Sequence, residues 1–366
     1  MERAYSEALP YIRSISPYQP GKPITELARE FGLAVGSIVK LASNENPLGM
    51  SPKARGAMLA EIDGLARYPD DYELKKAVAE HHELGTERIV LGNGSNDLLE
   101  LIARVYLASG RSAVFSRHAF AVYALATQAT GAECIEVAAH EFGHDLDAML
   151  AAVRPDTRVV WIANPNNPTG TFLPYADLKS ALRRLPEQVI VVLDEAYNAY
   201  IPPAEQADTV QWLREFPNLV ITRTFSKVYG MAGLRIGYAL TSAAIADLMN
   251  RVRQPFNCNN LALAAAIAAL DDQAFVERSV ALNAQEMTRL CTAFGRLGLD
   301  SIPSRGNFIT VRVPEAAAVN LALLKQGVIV RPLAGYGMPD HLRVTIGLAE
   351  ENSRFLAALE AALRGR

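Results

Sequence analysis

The sequence predicts an α/β fold, with a large doubly wound, mostly parallel sheet followed by a smaller α+β unit at the C-terminal end. Three observations predict it. Short apolar, β-branched runs alternate with stretches of helical period over the first two thirds of the chain. Several of those runs are continuous rather than alternating, the pattern of strands buried on both faces of a sheet. After Pro255 the rhythm changes to two long helical stretches, three more strand-like runs and a closing helix.

The elements follow in order. Up to Lys40 the chain is proline-rich, an arm with one short helix around Ile24–Phe31. Glu73–Glu83 is a helix with Leu74, Ala77 and Val78 on one face. The run Arg88–Leu91 stops at Gly92-Asn93-Gly94-Ser95-Asn96, and a helical pattern follows over Asp97–Leu107. Strand runs come at Ala113–Ser116, Cys134–Val137, Val159–Ile162, Val189–Leu193, Leu219–Thr222 and Arg235–Leu240. Helical stretches at Tyr123–Ala129, Tyr175–Arg184 and Ala243–Val252 separate many of them. The tail has helices at Leu261–Leu270 and Asp272–Leu297, strands at Phe308–Val313, Val328–Arg331 and Leu342–Ile346, and a last helix at Glu350–Leu363. The predicted division is an arm over 1–40 packing with the small unit, a large unit over 41–255 and a small unit over 256–366.

The chain has 366 residues, half of them hydrophobic, enough for about two domains and too apolar for disorder. Its 36 basic and 39 acidic residues leave a net charge of −3, which argues against nucleic acid or an anionic membrane as the main partner. The apolar run Leu261–Leu270 is too short to span a bilayer. Met1-Glu2-Arg3 opens no secretory leader, and Cys134, Cys258 and Cys291 form neither a disulfide framework nor a metal spacing. A cytoplasmic enzyme is the expectation. His118, His140, His144 and His341 also lack metal spacing and read as surface or loop residues.

In open α/β sheets, ligands bind outside the carboxyl ends of the strands. Four strand ends are chemically loaded here. Gly92–Asp97 offers a tight turn and a helix N-terminus suited to a phosphate; a plain turn with Ser95, Asn96 or Asp97 as N-cap is the ordinary alternative. Asn164-Pro165-Asn166-Asn167-Pro168-Thr169-Gly170 is denser than a turn needs, and its amides could bond a cofactor oxygen. Asp194-Glu195-Ala196-Tyr197 ends a buried strand with acids that are costly unless paired; solvation is an easy alternative for one acid and a harder one for both. Thr224-Phe225-Ser226-Lys227 precedes Gly230, Gly233 and Arg235, and Lys227 is the one of eight lysines that follows a core-like strand. A solvated surface cation is the ordinary reading of a lone lysine. Together the four ends describe a phosphate cup, a hydroxyl donor, a carboxylate and an amine, the set that pyridoxal phosphate needs.

On these residues the sequence resembles the fold-type-I pyridoxal-phosphate enzymes, and within them the histidinol-phosphate aminotransferases. The resemblance runs through nearly the whole chain: Ser16-Pro17-Tyr18, Leu41–Pro47, Arg67-Tyr68-Pro69, Asn164–Gly170, Asp194–Tyr197, Ser226-Lys227 with Ala232–Arg235, Asn307–Ile309, Gly327–Arg331 and Leu342–Val344. It implies that Lys227 forms the internal aldimine and shuttles the proton, and that Asp194 pairs with the pyridine nitrogen. Asn167 and Tyr197 would bond the ring hydroxyl, and Phe120 would stack on the ring where relatives have a tyrosine. Ser95, Asn96, Thr224, Ser226 and Arg235 would hold the phosphate. Tyr68 would reach the phosphate of the neighbouring subunit, making the active form a homodimer. Arg343 and Arg331, with Tyr18 and Asn44 nearby, would take the substrate's phosphate or carboxylate.

The resemblance further implies a ping-pong transamination between histidinol phosphate and 2-oxoglutarate. Three other readings stay open: an aromatic amino-acid aminotransferase, a threonine-phosphate decarboxylase, and a cofactor-binding regulator without activity. The intact set Lys227, Asp194, Tyr197, Asn167 and Arg235 argues against the last.

Overall fold

The computed structural model describes residues 2–364, with the side chains of Glu2 and Arg3 left aside. The ends of the predicted arm (1–40) and C-terminal unit (256–366) thus lie outside the described residues. The strands are β1 (Val39–Lys40), β2 (Ile89–Gly92), β3 (Ser112–Ser116), β4 (Glu133–Val137), β5 (Thr157–Ala163), β6 (Ile190–Asp194), β7 (Leu219–Thr224), β8 (Gly237–Leu240), β9 (Ser301–Ile302), β10 (Phe308–Arg312), β11 (Val328–Ile329), β12 (Arg331–Pro332) and β13 (His341–Thr345).

Seven of them form the large sheet in the order β2-β8-β7-β6-β5-β3-β4. Strand β8 is antiparallel to both neighbours and the other pairs are parallel. Side chains alternate between faces along each strand. Val160, Ile162, Val191, Leu193, Leu219 and Ile221 enter one core with helices Tyr72–His81 and Tyr175–Leu182. Val159, Trp161, Ile190, Val192 and Val220 enter the other with helices Ser95–Tyr106, Ala121–Gln128 and Ala243–Val252. Burial on both faces explains the continuous apolar runs. Edge strand β4 is the partly exposed one.

The C-terminal sheet is antiparallel, in the order β12-β13-β10-β9, and a separate parallel pair joins β1 to β11. The run Val328–Arg331, predicted as one strand, is therefore two, which serve different sheets. The arm helix Ile24–Phe31 packs Leu27 onto Ala42, Leu324 and Ile329. Helix Asn260–Leu270 departs from expectation. Read with the small unit, it packs instead on helices Pro52–Ala60 and Tyr72–His81, with Ala262, Ala265, Ala266 and Ala269 in the large sheet's core. Alanine permits close helix approach, but an alanine-rich run is nearly apolar all round and carries no signal of which body it joins.

Candidate active site

The carboxyl ends of β2, β5, β6 and β7 lie along one edge of the large sheet. Because β8 runs the other way, its start brings Arg235 to that same edge. There the chain encloses a cavity of about 280 Å³. Every residue to which the resemblance gives a cofactor or substrate role lines it except Tyr68. Tyr68 is 80% exposed on the surface, its ring stacked on Phe256 at 4.6 Å.

One end of the cavity is built of donors. Helix Ser95–Tyr106 begins after Gly94, which caps it with no side-chain hydrogen bond and a φ of +83°. The caps considered from sequence are therefore not used: Asp97 accepts from the Asn93 N–H instead (2.8 Å). Ser95 and Asn96, which stand in the first turn where N–H groups have no intrahelical acceptor, line the cavity. Arg235, itself in the left-handed region at φ +59°, donates to Ser226 Oγ (3.2 Å) and to the Ala232 carbonyl (3.1 Å). A Cβ on Gly94 would stand 2.3 Å from Arg235 Nη2. Backbone amides and guanidinium share one cradle, and glycine keeps it open.

Strand alternation sorts the two acids at the end of β6. Asp194 falls on the face of Val192 and Glu195 on the opposite one. Glu195 is buried and paired with Arg223 at 2.8 Å, with Thr209 donating to its other oxygen (2.7 Å). Asp194 is also buried, and its hydrogen-bond donors are neutral, among them the Tyr123 hydroxyl (2.8 Å) and the Ala196 N–H (3.2 Å). Burial holds its carboxyl above the usual range. Solvation thus describes neither acid. Tyr123, which lines the cavity and bonds Asp194, is the candidate-site side chain that the sequence reading did not single out. Its signal was spacing: it stands three residues after Phe120 in helix Ala121–Gln128, one turn along the same face. Trp161 stacks on its ring at 5.5 Å and fixes it.

Lys227 projects from the turn after β7. Its Nζ donates to the Ser43 carbonyl (3.1 Å) and lies 5.7 Å from the Tyr197 ring centroid. Burial, then the charge of Arg343, lower its amine to about 8.

The opposite wall comes from the C-terminal sheet. Arg343 on β13 is buried, donates to Asn167 Oδ1 (2.5 Å) and to the Ala42 carbonyl (2.7 Å), and keeps Nε without a partner. Arg331 on β12 lies directly across the strand pair from it. It donates to the Gln19 carbonyl (2.6 Å) and sits over the Tyr18 ring. Like charges opposite each other on neighbouring strands repel, and burial lowers the Arg343 guanidinium from its usual value. Asn44, expected near the substrate, lines the cavity and donates through Nδ2 to the Tyr197 hydroxyl (2.9 Å). Burial pushes that phenol up to about 12.

One histidine differs from expectation: His341 is buried in β13, whereas His144 lies in a loop as read, though it too is buried. His144 bonds the backbone of Ala163 beside the cavity. Among the described residues no cluster of His, Cys, Asp or Glu could hold a metal ion, and no helix is long and apolar enough to cross a membrane.

The family model "Aminotransferase class I and II" matches residues 36–359. The chain is 65% identical to histidinol-phosphate aminotransferase 1 of Dechloromonas aromatica, over 98% of this chain and 99% of that one. It is 59% identical to histidinol-phosphate aminotransferase 2 of Nitrosospira multiformis, over 96% and 91%. Among solved structures it is similar to the histidinol-phosphate aminotransferase of Sinorhizobium meliloti in complex with pyridoxal-5'-phosphate, with a TM-score of 0.91, 28% identity and full coverage of both chains. The chain belongs to the class I and II aminotransferases, and within them to the histidinol-phosphate aminotransferase family.

Proposed function

We propose that the chain binds pyridoxal 5'-phosphate and transfers the amino group of histidinol phosphate to 2-oxoglutarate, as a cytoplasmic homodimer. One observation carries the reading. A buried lysine with a lowered pKa shares its cavity with a buried carboxylate held by neutral hydrogen-bond donors and with two guanidiniums set across one strand pair.

The residues fit the cofactor. The cradle of Gly94, Ser95, Asn96, Ser226 and Arg235 would hold its phosphate, with the Thr224 hydroxyl bracing the Ser226 N–H (3.1 Å). Asp194, buried among neutral donors, would gain a charge partner in a protonated ring nitrogen. Asn167 and Tyr197 would meet the ring hydroxyl, and Phe120 would pack on the ring. When bound, the cofactor supplies an electron sink that makes the donor's Cα–H acidic.

The chain's own residues do the rest. With its amine lowered to about 8, Lys227 Nζ gives up its proton far more readily than an ordinary lysine and would carry the Cα proton away and return it. Asp194 keeps its charge beside a fixed cation. Arg343 and Arg331 would hold the substrate's phosphate with two guanidiniums, a closer match to a dianion than to a single carboxylate. Tyr68, exposed and outside its own cavity, is free to complete the neighbouring subunit's phosphate site.

The test is a half-reaction titration. Holoenzyme is mixed in turn with histidinol phosphate, phenylalanine and threonine phosphate, and the visible absorption of the cofactor is followed. Fast loss of the band with histidinol phosphate is expected. Faster loss with phenylalanine would move the enzyme to aromatic amino acids. Release of CO₂ from threonine phosphate would make it a decarboxylase.

A further inference from the structure

Asn44 is tied down more firmly than substrate contact requires. It is 1% exposed and adopts the left-handed backbone conformation, φ +55°. Its N–H donates to Thr345 Oγ1 (2.9 Å) and its carbonyl accepts from Asn307 Nδ2 (2.9 Å). Thr345 Oγ1 in turn donates to Asn44 Oδ1 (3.1 Å), and Asn44 Nδ2 donates to the Tyr197 hydroxyl (2.9 Å). The polarity of this chain follows from proton counting. A threonine hydroxyl has one proton. Its oxygen already accepts the Asn44 N–H, so the proton goes to Oδ1. The amide is thereby oriented with oxygen toward Thr345 and nitrogen toward Tyr197. A phenol oxygen that accepts an amide N–H must send its own proton elsewhere. Tyr197 is buried, with Phe308 edge-on at 5.1 Å, and it lines the cavity shared by Lys227 and Asp194.

Asparagine is suited to both demands of this position. The left-handed backbone favours Gly, Asn and Asp. Glycine has no amide to donate. A carboxylate would accept the Tyr197 proton and turn it away from the cavity.

We propose that Asn44 is a positioning residue, oriented by Thr345, that directs the Tyr197 proton into the cavity and strengthens it as a hydrogen-bond donor. The inference rests on the reading that Tyr197 meets the cofactor's ring hydroxyl.

The experiment is a pH titration of the visible absorption of the holoenzyme, for wild type and for Asn44→Asp, Asn44→Ala, Thr345→Val and Tyr197→Phe. A hydrogen bond to the ring oxygen favours the deprotonated, charged form of the chromophore, so losing it raises the midpoint. Tyr197→Phe should raise it. Asn44→Asp should raise it as much, with no further rise in the double variant. Asn44→Ala and Thr345→Val should each raise it by ~0.5–1 pH unit, the scale of one hydrogen bond. kcat should fall in these variants while KM for histidinol phosphate stays near wild type, the opposite of a substrate-contact residue. Should Tyr197→Phe shift the midpoint while all three Asn44 and Thr345 variants keep the wild-type value, the inference is overturned and the cofactor reading stands. A wild-type midpoint in Tyr197→Phe overturns the reading of Tyr197 and the inference with it. If Asn44→Asp fails to load cofactor, Thr345→Val alone decides, because it leaves the asparagine in place.

Discussion

Gly94→Ala separates what the fold needs from what the cofactor cradle needs. The position has φ +83° and ψ 166°, a region that residues with a Cβ enter at a cost of order 1–3 kcal/mol. The added methyl would stand 2.3 Å from Arg235 Nη2 and 2.9 Å from its Cζ. The tip of a long side chain can swing aside with little effect on the fold, but it cannot swing and still hold a phosphate. Losing one hydrogen bond to a charged group weakens binding by about 1.5–3 kcal/mol, or about 10- to 100-fold. The expected outcome is a cofactor Kd raised by that factor, measured by equilibrium dialysis, while the cofactor-free protein loses only a few degrees of Tm. A double-variant cycle checks the cause. In an Arg235→Leu background, Gly94→Ala should add little further loss, since the displaced group is gone. A Kd within twofold of wild type, or a full additional loss without Arg235, would refute the shared-cradle reasoning.

Two further predictions concern the lysine and the second subunit. Lys227 has a folded-state pKa of about 8 against an ordinary 10.5, so between those values the unfolded cofactor-free chain binds more protons and stability rises with pH. Below pH 8 the penalty is complete, at most about 3 kcal/mol. Cofactor-free Lys227→Met should therefore exceed wild type in urea midpoint at pH 7, and the gap should close from pH 8 to 10; a gap independent of pH would show that the lysine is not held against its charge. For Tyr68, mixing inactive Lys227→Ala subunits with Tyr68→Ala subunits should restore one intact site per mixed dimer. Activity that never rises above that of the unmixed variants would remove Tyr68 from the neighbouring site.

Most of the residues that line the candidate site were legible because each piece sits directly after a continuous apolar run. Val189–Leu193 hands the chain to Asp194, and Leu219–Thr222 to Thr224, Ser226 and Lys227. A strand buried on both faces cannot hide its end, since polar residues resume where the sheet stops. What stayed illegible depends on long-range contacts. Nothing local distinguishes Asp194 from Glu195; the division follows from Arg223 standing on one face of the neighbouring strand and Tyr123 on the other side of the sheet. The small residues of Asn260–Leu270 fit against either body. Val330 marks the break between β11 and β12, yet it is as apolar as Val328 and Ile329 before it and buried with them.

The C-terminal strand β13 shows how far an alternation can be followed. In Leu342-Arg343-Val344-Thr345-Ile346 the apolar residues all enter one core, so Arg343 and Thr345 must share the other face. That face turns to the large sheet. Arg343 bonds Asn167, and Thr345, through Asn44, bonds Tyr197. The two residues proposed to meet the ring hydroxyl are therefore both held from one face of one strand, and that strand also carries the guanidinium that faces Arg331. The spacing of two residues makes this possible: a one-residue slip in β13 would bury Arg343 and Thr345 among Phe294, Phe355 and Val311 and expose three aliphatic side chains to the cavity. The apolar core behind the strand is thus what fixes the register of the polar site in front of it.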